Sequence, residues 1–140
     1  MFRSSLSRGG LSRPAVVIAI LAVSAPVAIW LWSHQPAQLD VNTGQEVAAA
    51  FLAQVREGKA TEAWQSTTAE FKSAVGKEAF VREVRPLKFL RGEMSFVSME
   101  SVVVNDEPRS EFQFRAPTSE TVRIILGNEG GVWKVDRWTK

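Results

Sequence analysis

The sequence contains no cysteine, no tyrosine and one histidine among its 140 residues. The missing cysteine excludes disulfide bonds, thiol nucleophiles and thiolate metal sites. The one histidine, His34, lies outside the predicted folded domain, so no imidazole is available there to activate a hydroxyl nucleophile. The adjacent carboxylates of Asp106 and Glu107 are typical of a hairpin turn rather than of a metal site. We therefore predict no bound metal and no cofactor.

Charge is absent from Pro14 to Trp32, a run of 19 mostly aliphatic residues. A helix of that length spans about 28 Å, close to the hydrocarbon thickness of a bilayer. Amphipathic rings favour the headgroup region, and two tryptophans lie at the far end of the run, Trp30 and Trp32. Three arginines precede the run and favour a cytoplasmic N-terminus: Arg3, Arg8 and Arg13.

We accordingly predict a basic cytoplasmic tail over residues 1–13 and a single-pass helix over residues 14–32 in the inner membrane. The C-terminal domain would then be periplasmic or extracellular, with the lipid bilayer as a partner. A cleaved signal peptide is the alternative. The best small-residue pair for cleavage, Val23 and Ala25, would leave Pro26 as the first mature residue, which favours a retained anchor.

The net charge of +2 comes from the N-terminal tail. Three of the 17 basic residues precede the apolar run, so the rest of the chain carries 14 basic against all 15 acidic residues, a net charge of −1. A nucleic-acid-binding domain usually carries its basic excess on the folded part. We therefore predict no nucleic-acid partner.

The remainder of the chain predicts a linker over residues 33–42 and one folded domain over residues 43–140. Thr43 and Glu46 have the spacing of a capping box, which predicts a helix from Gly44 to Gly58. Two shorter helices are expected near residues 61–67 and 77–84, the second ending before Pro86.

After Gly92 the apolar period changes from 3.6 to 2, which indicates strands. Alternation predicts four of them, over residues 93–105, 109–116, 120–126 and 132–138, joined by short turns. Three helices followed by four antiparallel strands predict an α+β domain.

Several short motifs occur in this order of elements: Ala49-Ala50-Phe51-Leu52, Glu57-Gly58-Lys59, Ala63-Trp64 and Gly130-Gly131-Val132-Trp133-Lys134-Val135. Together they resemble the nuclear transport factor 2-like superfamily, and in particular its membrane-anchored bacterial members. The resemblance implies a cone-shaped domain, with three helices packed on a curved four-stranded antiparallel sheet. Many members are isomerases or dehydratases that use carboxylate, histidine and tyrosine side chains inside the cone. With no tyrosine, this chain cannot build a tyrosine-based oxyanion hole.

Three aromatic residues are candidates for ligand binding, namely Trp64, Phe112 and Trp138; the alternative is that they are core residues. Strict alternation places Trp133 and Val135 on one face of the last strand and Trp138 on the other. Trp138 is thus the residue expected to be exposed or to face a pocket.

A basic contact patch is predicted between Lys72 and Arg91, where six basic residues oppose two acidic ones. Such a patch can meet an acidic partner or anionic headgroups, and the alternative is an ordinary solvated helix face. Its central members are Arg82, Arg85, Lys88 and Arg91.

The leading functional hypothesis is a non-enzymatic, membrane-tethered domain that binds a protein partner or a small apolar ligand. The expected protein partner is an envelope protein or a second copy of the chain. The resemblance favours such an interaction role, since anchored members include a scaffold subunit of bacterial type IV secretion. The alternative is a small cone-fold enzyme that uses a buried carboxylate; the strand carboxylates considered are Glu111, Glu120 and Asp136. A third option is a structural spacer.

Overall fold

A computed structural model of the chain describes residues 39–140. The predicted tail, the transmembrane helix and most of the linker lie outside the described residues, as do the flanking residues Arg3, Arg8, Arg13, Trp30 and Trp32. The membrane anchor therefore stays a prediction. Within residues 39–140, no helix combines the length and the apolar character needed to cross a bilayer.

The first helix, α1, spans Val41–Arg56. Its N-cap is Asp40, whose carboxylate accepts the backbone N–H of Thr43 at 3.1 Å. The predicted capping box at Thr43 is thus wrong, because the helix already begins at Val41 and Thr43 lies in its first turn. The predicted linker is correspondingly too long, since its last two residues begin the helix. The predicted end is confirmed by Gly58, whose φ of +78° suits the left-handed position after a helix.

Three further α-helices follow, and the prediction of three helices in total is therefore one too few. They are α2 (Ala60–Gln65), α3 (Ala69–Ala74) and α4 (Lys77–Val84), and a 3₁₀ helix covers Lys88–Arg91. The predicted second helix ends two residues early, because Thr67 forms a parallel bridge with Val135 instead. The helix that the sequence did not predict, α3, is capped by the side chain of Thr68.

Four strands form one antiparallel sheet in the order β1-β2-β3-β4. They are β1 (Ser95–Val104), β2 (Glu107–Arg115), β3 (Thr121–Glu129) and β4 (Val132–Thr139). Two-residue turns at Asn105-Asp106 and Gly130-Gly131 have positive φ at both positions, the conformation that matches the twist of paired strands. The predicted α+β class and the four-stranded antiparallel sheet are confirmed.

A β-bulge in β4 corrects one prediction about its faces. Ile125 pairs with Arg137 and Leu126 pairs with Val135, so Asp136 is an extra residue between the two pairs. The bulge reverses the alternation after Val135. As a result, Trp138 lies on the same face as Val135 and packs against the core, and its predicted position on the opposite face is wrong.

The space between helices and sheet is filled by aromatic side chains. Phe80 is fully buried, and its ring lies 5.9 Å from Phe51, 5.8 Å from Phe71 and 6.2 Å from Trp138, measured between ring centroids. The sheet contributes the inward-facing residues that alternation predicts, Phe112, Phe114, Val122, Ile124 and Leu126.

Candidate functional site

The three aromatic ligand candidates occupy separate places in the packed interior. The Trp64 indole is half-buried, donates its Nε1–H to the Val75 carbonyl at 2.7 Å and has the Lys72 ammonium 5.7 Å from its ring centre. Phe112 is fully buried, and Trp138 meets Phe80 edge-on. None of the three lines the surface grooves described below. Ligand binding by these residues stays a prediction.

Of the three strand carboxylates considered, Asp136 alone is buried, with 7% of its surface exposed. Glu111 lies 3.9 Å from the Arg123 guanidinium across β2 and β3. Glu120 is exposed in the turn before β3, so its predicted place on a strand is wrong.

The Asp136 carboxylate points away from the aromatic core. Leu126 faces the core, so the next residue, Gly127, presents its Cα to the opposite side of the sheet. A Cβ added there would lie 2.8 Å from an Arg109 guanidinium nitrogen and 3.3 Å from Asp136. Gly127 thus makes room for Arg109 and Asp136 on the outer face.

This outer-face polar cluster holds α3 against the sheet. The Asp136 carboxylate accepts the Thr68 hydroxyl at 2.7 Å, and Glu129 accepts the Ala69 N–H at 2.7 Å. The hydrogen bond from the Lys134 ammonium and that from Ala69 lower the pKa of Glu129 below its ordinary value. Arg109 pairs with an exposed glutamate, and its Nε has no hydrogen-bond partner among the described residues. The cluster accounts for Asp136 as a structural carboxylate.

A more promising feature is the arginine groove, a depression of about 260 Å³ on the helical side. It lies between the end of α1, the start of α2, the last turn of α4 and the 3₁₀ helix. Its walls are aliphatic, from Val55, Val81, Val84, Leu87 and Leu90, with Gly58 and Ala60 beside them. Three arginines complete its lining: Arg56, Arg85 and Arg91.

The arginines of this groove form no ion pair among residues 39–140, and the carboxylate next to Arg56 in the chain, Glu57, is paired with Lys59 at 2.8 Å. The lining of the groove includes neither Asp nor Glu, and none of the three guanidinium groups forms an ion pair with a described carboxylate. All three arginines are exposed residues. A surface that combines aliphatic side chains with guanidinium groups outside any ion pair suits a ligand with a carboxylate next to an apolar group.

A second depression, of about 640 Å³, continues from the arginine groove along α4. It shares Val81 and Arg85 with that groove and adds Arg82 and the Lys77 and Glu78 pair, whose charged atoms lie 3.6 Å apart. The structure therefore brings three of the four predicted patch residues to these two depressions. The fourth, Lys88, is exposed on the 3₁₀ helix and lines neither.

Arg56 is the groove residue that the sequence did not single out. It ends α1, where a basic side chain is ordinarily explained by the negative end of the helix dipole. Only the fold brings it next to Arg85 and Arg91, about thirty residues further along the chain. It also borders a third depression of about 220 Å³, which contains Glu93.

Within residues 39–140, no group of three or more His, Asp or Glu side chains is placed to hold a metal ion. Comparison with protein-family models and with curated proteins finds no match for this chain.

Proposed function

We propose that this chain is a membrane-tethered binding domain whose arginine groove takes an acidic segment of a partner protein. The observation that carries the proposal is the lining of the groove, in which Arg56, Arg85 and Arg91 surround aliphatic side chains with no described carboxylate among them. The partner segment would insert an apolar side chain and place a neighbouring carboxylate against the guanidinium groups.

The shape of the groove and of the depression beside it favours an extended protein segment as the ligand. Pockets for small molecules commonly measure about 300–1,000 Å³ and enclose most of the ligand. The arginine groove alone measures about 260 Å³, it adjoins the depression of about 640 Å³ along α4, and its three arginines are exposed, which suits an extended segment that lies across both. Paired guanidinium–carboxylate contacts then supply orientation, and the aliphatic walls supply apolar contact.

The tether is supported by the uncharged run from Pro14 to Trp32 and by the arginines that precede it. A domain held within one linker length of a bilayer meets other envelope proteins at raised effective concentration. The motifs shared with anchored members of the nuclear transport factor 2-like superfamily favour the same kind of role.

The enzyme alternative is less well supported. It needs a carboxylate that faces an open interior, whereas Asp136 lies on the outer face of the sheet and accepts a hydrogen bond from Thr68. The inner face of the sheet is covered by buried side chains, among them Phe80 and Phe112. The enzyme alternative stays a prediction, and a turnover assay on candidate substrates would test it.

The binding proposal is tested with two labelled peptides and the full chain in a neutral detergent. One peptide alternates glutamate with leucine, and the other alternates glutamate with serine; fluorescence anisotropy gives each Kd, with empty micelles as the blank. We expect tighter binding of the glutamate–leucine peptide, weakening with added salt. The variants Arg56→Glu, Arg85→Glu and Arg91→Glu should each raise Kd by about three- to tenfold.

The matched control is Arg137→Glu, which makes the same change of charge on an exposed residue of β4, away from the groove. It should leave Kd within about twofold of the original value. Equal loss in Arg137→Glu and the groove variants would show non-specific charge attraction and contradict the proposal. If instead the protein binds vesicles of anionic lipid more tightly than it binds the peptide, and the groove variants abolish that vesicle binding, the groove is assigned to the membrane.

A further inference from the structure

The first strand, β1, is an edge strand with an open side. Among the described elements it makes extensive contact with β2 alone, and only Val104 of its residues is buried. Two of its valines are markedly exposed, Val97 at 44% and Val103 at 74%. One row of its backbone N–H and C=O groups therefore has no partner strand within residues 39–140.

Most edge strands carry features that prevent pairing with another chain, and β1 has few of them. It contains no lysine, arginine or proline, and its single charged residue is Glu100. A bulge between Phe96 and Ser98 interrupts its first part only. The stretch from Ser98 to Val104 pairs with β2 without a bulge, and four of its seven residues are apolar: Met99, Val102, Val103 and Val104.

We propose that this stretch pairs in antiparallel fashion with the same stretch of a second copy, centred on Ser101. A two-fold axis relates a strand to its own copy when the two pair in antiparallel fashion. Directly opposed residues lie on the same face of a sheet, and successive residues lie on opposite faces. One residue must therefore lie opposite its own copy, at the axis. The choice of central residue then determines which side chains meet.

Charge excludes the neighbouring centre at Glu100. In the chain itself Glu100 already lies opposite Glu111 across β1 and β2. A centre at Glu100 would set the two copies of Glu100 opposite each other and create a row of four glutamates. A centre at Ser101 instead places Glu100 opposite Val102 of the second copy.

The centre at Ser101 also covers the most exposed valine. It pairs Met99 with Val103 of the second copy, and both residues are on the sheet face that carries Phe112. The exposed Val103 side chain then gains an apolar neighbour in each copy. The result is one continuous eight-stranded sheet across the dimer, with the arginine groove of each copy outside the interface.

Engineered cysteines test the register, because the chain has none of its own. Directly opposed residues in antiparallel strands have Cα atoms about 4.5–5.5 Å apart, a distance that a disulfide bridges. In the full chain in neutral detergent, Ser101→Cys should form a covalent dimer on mild oxidation. Ser95→Cys, an exposed serine on the same strand beyond the paired stretch, is the control and should stay monomeric on a non-reducing gel.

Single cysteines at residues 99 to 103 complete the scan. Maximal cross-linking at a residue other than 101 would overturn the register. Cross-linking of Ser95→Cys as strong as that of Ser101→Cys would indicate random collision and overturn the pairing itself.

A second measurement separates this interface from any association through the N-terminal segment. Val103→Lys places a charge in the proposed contact, and Val97→Lys makes the same change outside it, both at exposed positions that leave the core intact. Sedimentation of the full chain should give a dimer for Val97→Lys and at least about a tenfold weaker dimer for Val103→Lys. A Val103→Lys chain that stays as dimeric as the original, or an original chain that is monomeric, overturns the proposal.

Discussion

The Thr68 hydroxyl donates a 2.7 Å hydrogen bond to the buried Asp136 carboxylate and, with the same oxygen, accepts the Phe71 N–H at 3.1 Å. One side chain therefore begins α3 and holds the bulged residue of β4. The backbone N–H of Thr68 adds a 2.9 Å bond to the Val135 carbonyl. Local helix capping and long-range strand geometry thus depend on one residue.

We expect Thr68→Val to destabilise the domain by about 2–4 kcal/mol. It removes a helix cap, worth about 1 kcal/mol, and leaves a buried carboxylate without its hydroxyl partner, which costs about 1–3 kcal/mol. Thr68→Ser keeps the hydroxyl and should cost less than half as much. Urea unfolding of the full chain in neutral detergent, followed by near-ultraviolet circular dichroism, measures both. Equal stability of the two variants would contradict the dual role.

Gly44 in α1 gives a second prediction, because replacing glycine with alanine in a helix normally stabilises it by up to about 1 kcal/mol. Here an added Cβ would overlap the Phe112 ring and lie 2.9 Å from Leu39 Cδ2. We expect Gly44→Ala to destabilise the fold by about 1–3 kcal/mol. Phe112→Leu should relieve the overlap, so the double variant should lose less stability than the two single losses added together. Additive losses would contradict the close contact.

The Glu129 carboxylate gives a pH-dependent prediction. The Lys134 and Ala69 hydrogen bonds lower its pKa in the folded state. A lowered folded pKa stabilises the fold at pH values above the unfolded pKa of about 4.3, and the contribution is lost as the pH falls through the folded pKa. Glu129→Gln should therefore lower the thermal midpoint at pH 7 and match the original chain in acid below both pKa values.

The control for that measurement is Glu120→Gln, which changes an exposed turn carboxylate that forms no ion pair with a described residue. It should leave the midpoint unchanged at both pH values. If Glu129→Gln lowers the thermal midpoint as much in acid as at pH 7, the effect is not electrostatic.

The membrane anchor is testable with single cysteines on either side of the apolar run. Val132 is an exposed position in the folded domain, and Ser5 lies in the predicted tail. An impermeant maleimide should label Val132→Cys in spheroplasts and Ser5→Cys only after lysis. Labelling of Ser5→Cys from outside would reverse the orientation. A mature chain that has lost Ser5→Cys altogether would establish a cleaved signal peptide.

The strands could be predicted from the sequence because one face of the sheet is buried. Phe112, Phe114 and Val122 alternate with polar residues, and all three are in the core. The short helix α3 could not be predicted, since six residues with one buried side chain, Phe71, carry no apolar period. Its start depends on Thr68, whose role requires Asp136 from the far end of the chain.

The candidate site was predictable only in part. The local excess of basic residues indicates Arg82, Arg85 and Arg91, which are close together in sequence. It gives no sign of Arg56, because the contact between the end of α1 and the 3₁₀ helix is a property of the packed domain. The predicted face of Trp138 was wrong for a similar reason, since a bulge follows from strand pairing and not from local composition.

The extra residue in β4 has a consequence for comparing this chain with others. From Val135 to Trp138 the core-facing residues are three apart, whereas an unbulged strand would place them two apart. An alignment that matches strands by alternation alone would shift everything after Val135 by one position and set Trp138 against surface residues. A chain whose last strand lacks the extra residue should be aligned with a one-residue gap opposite Asp136.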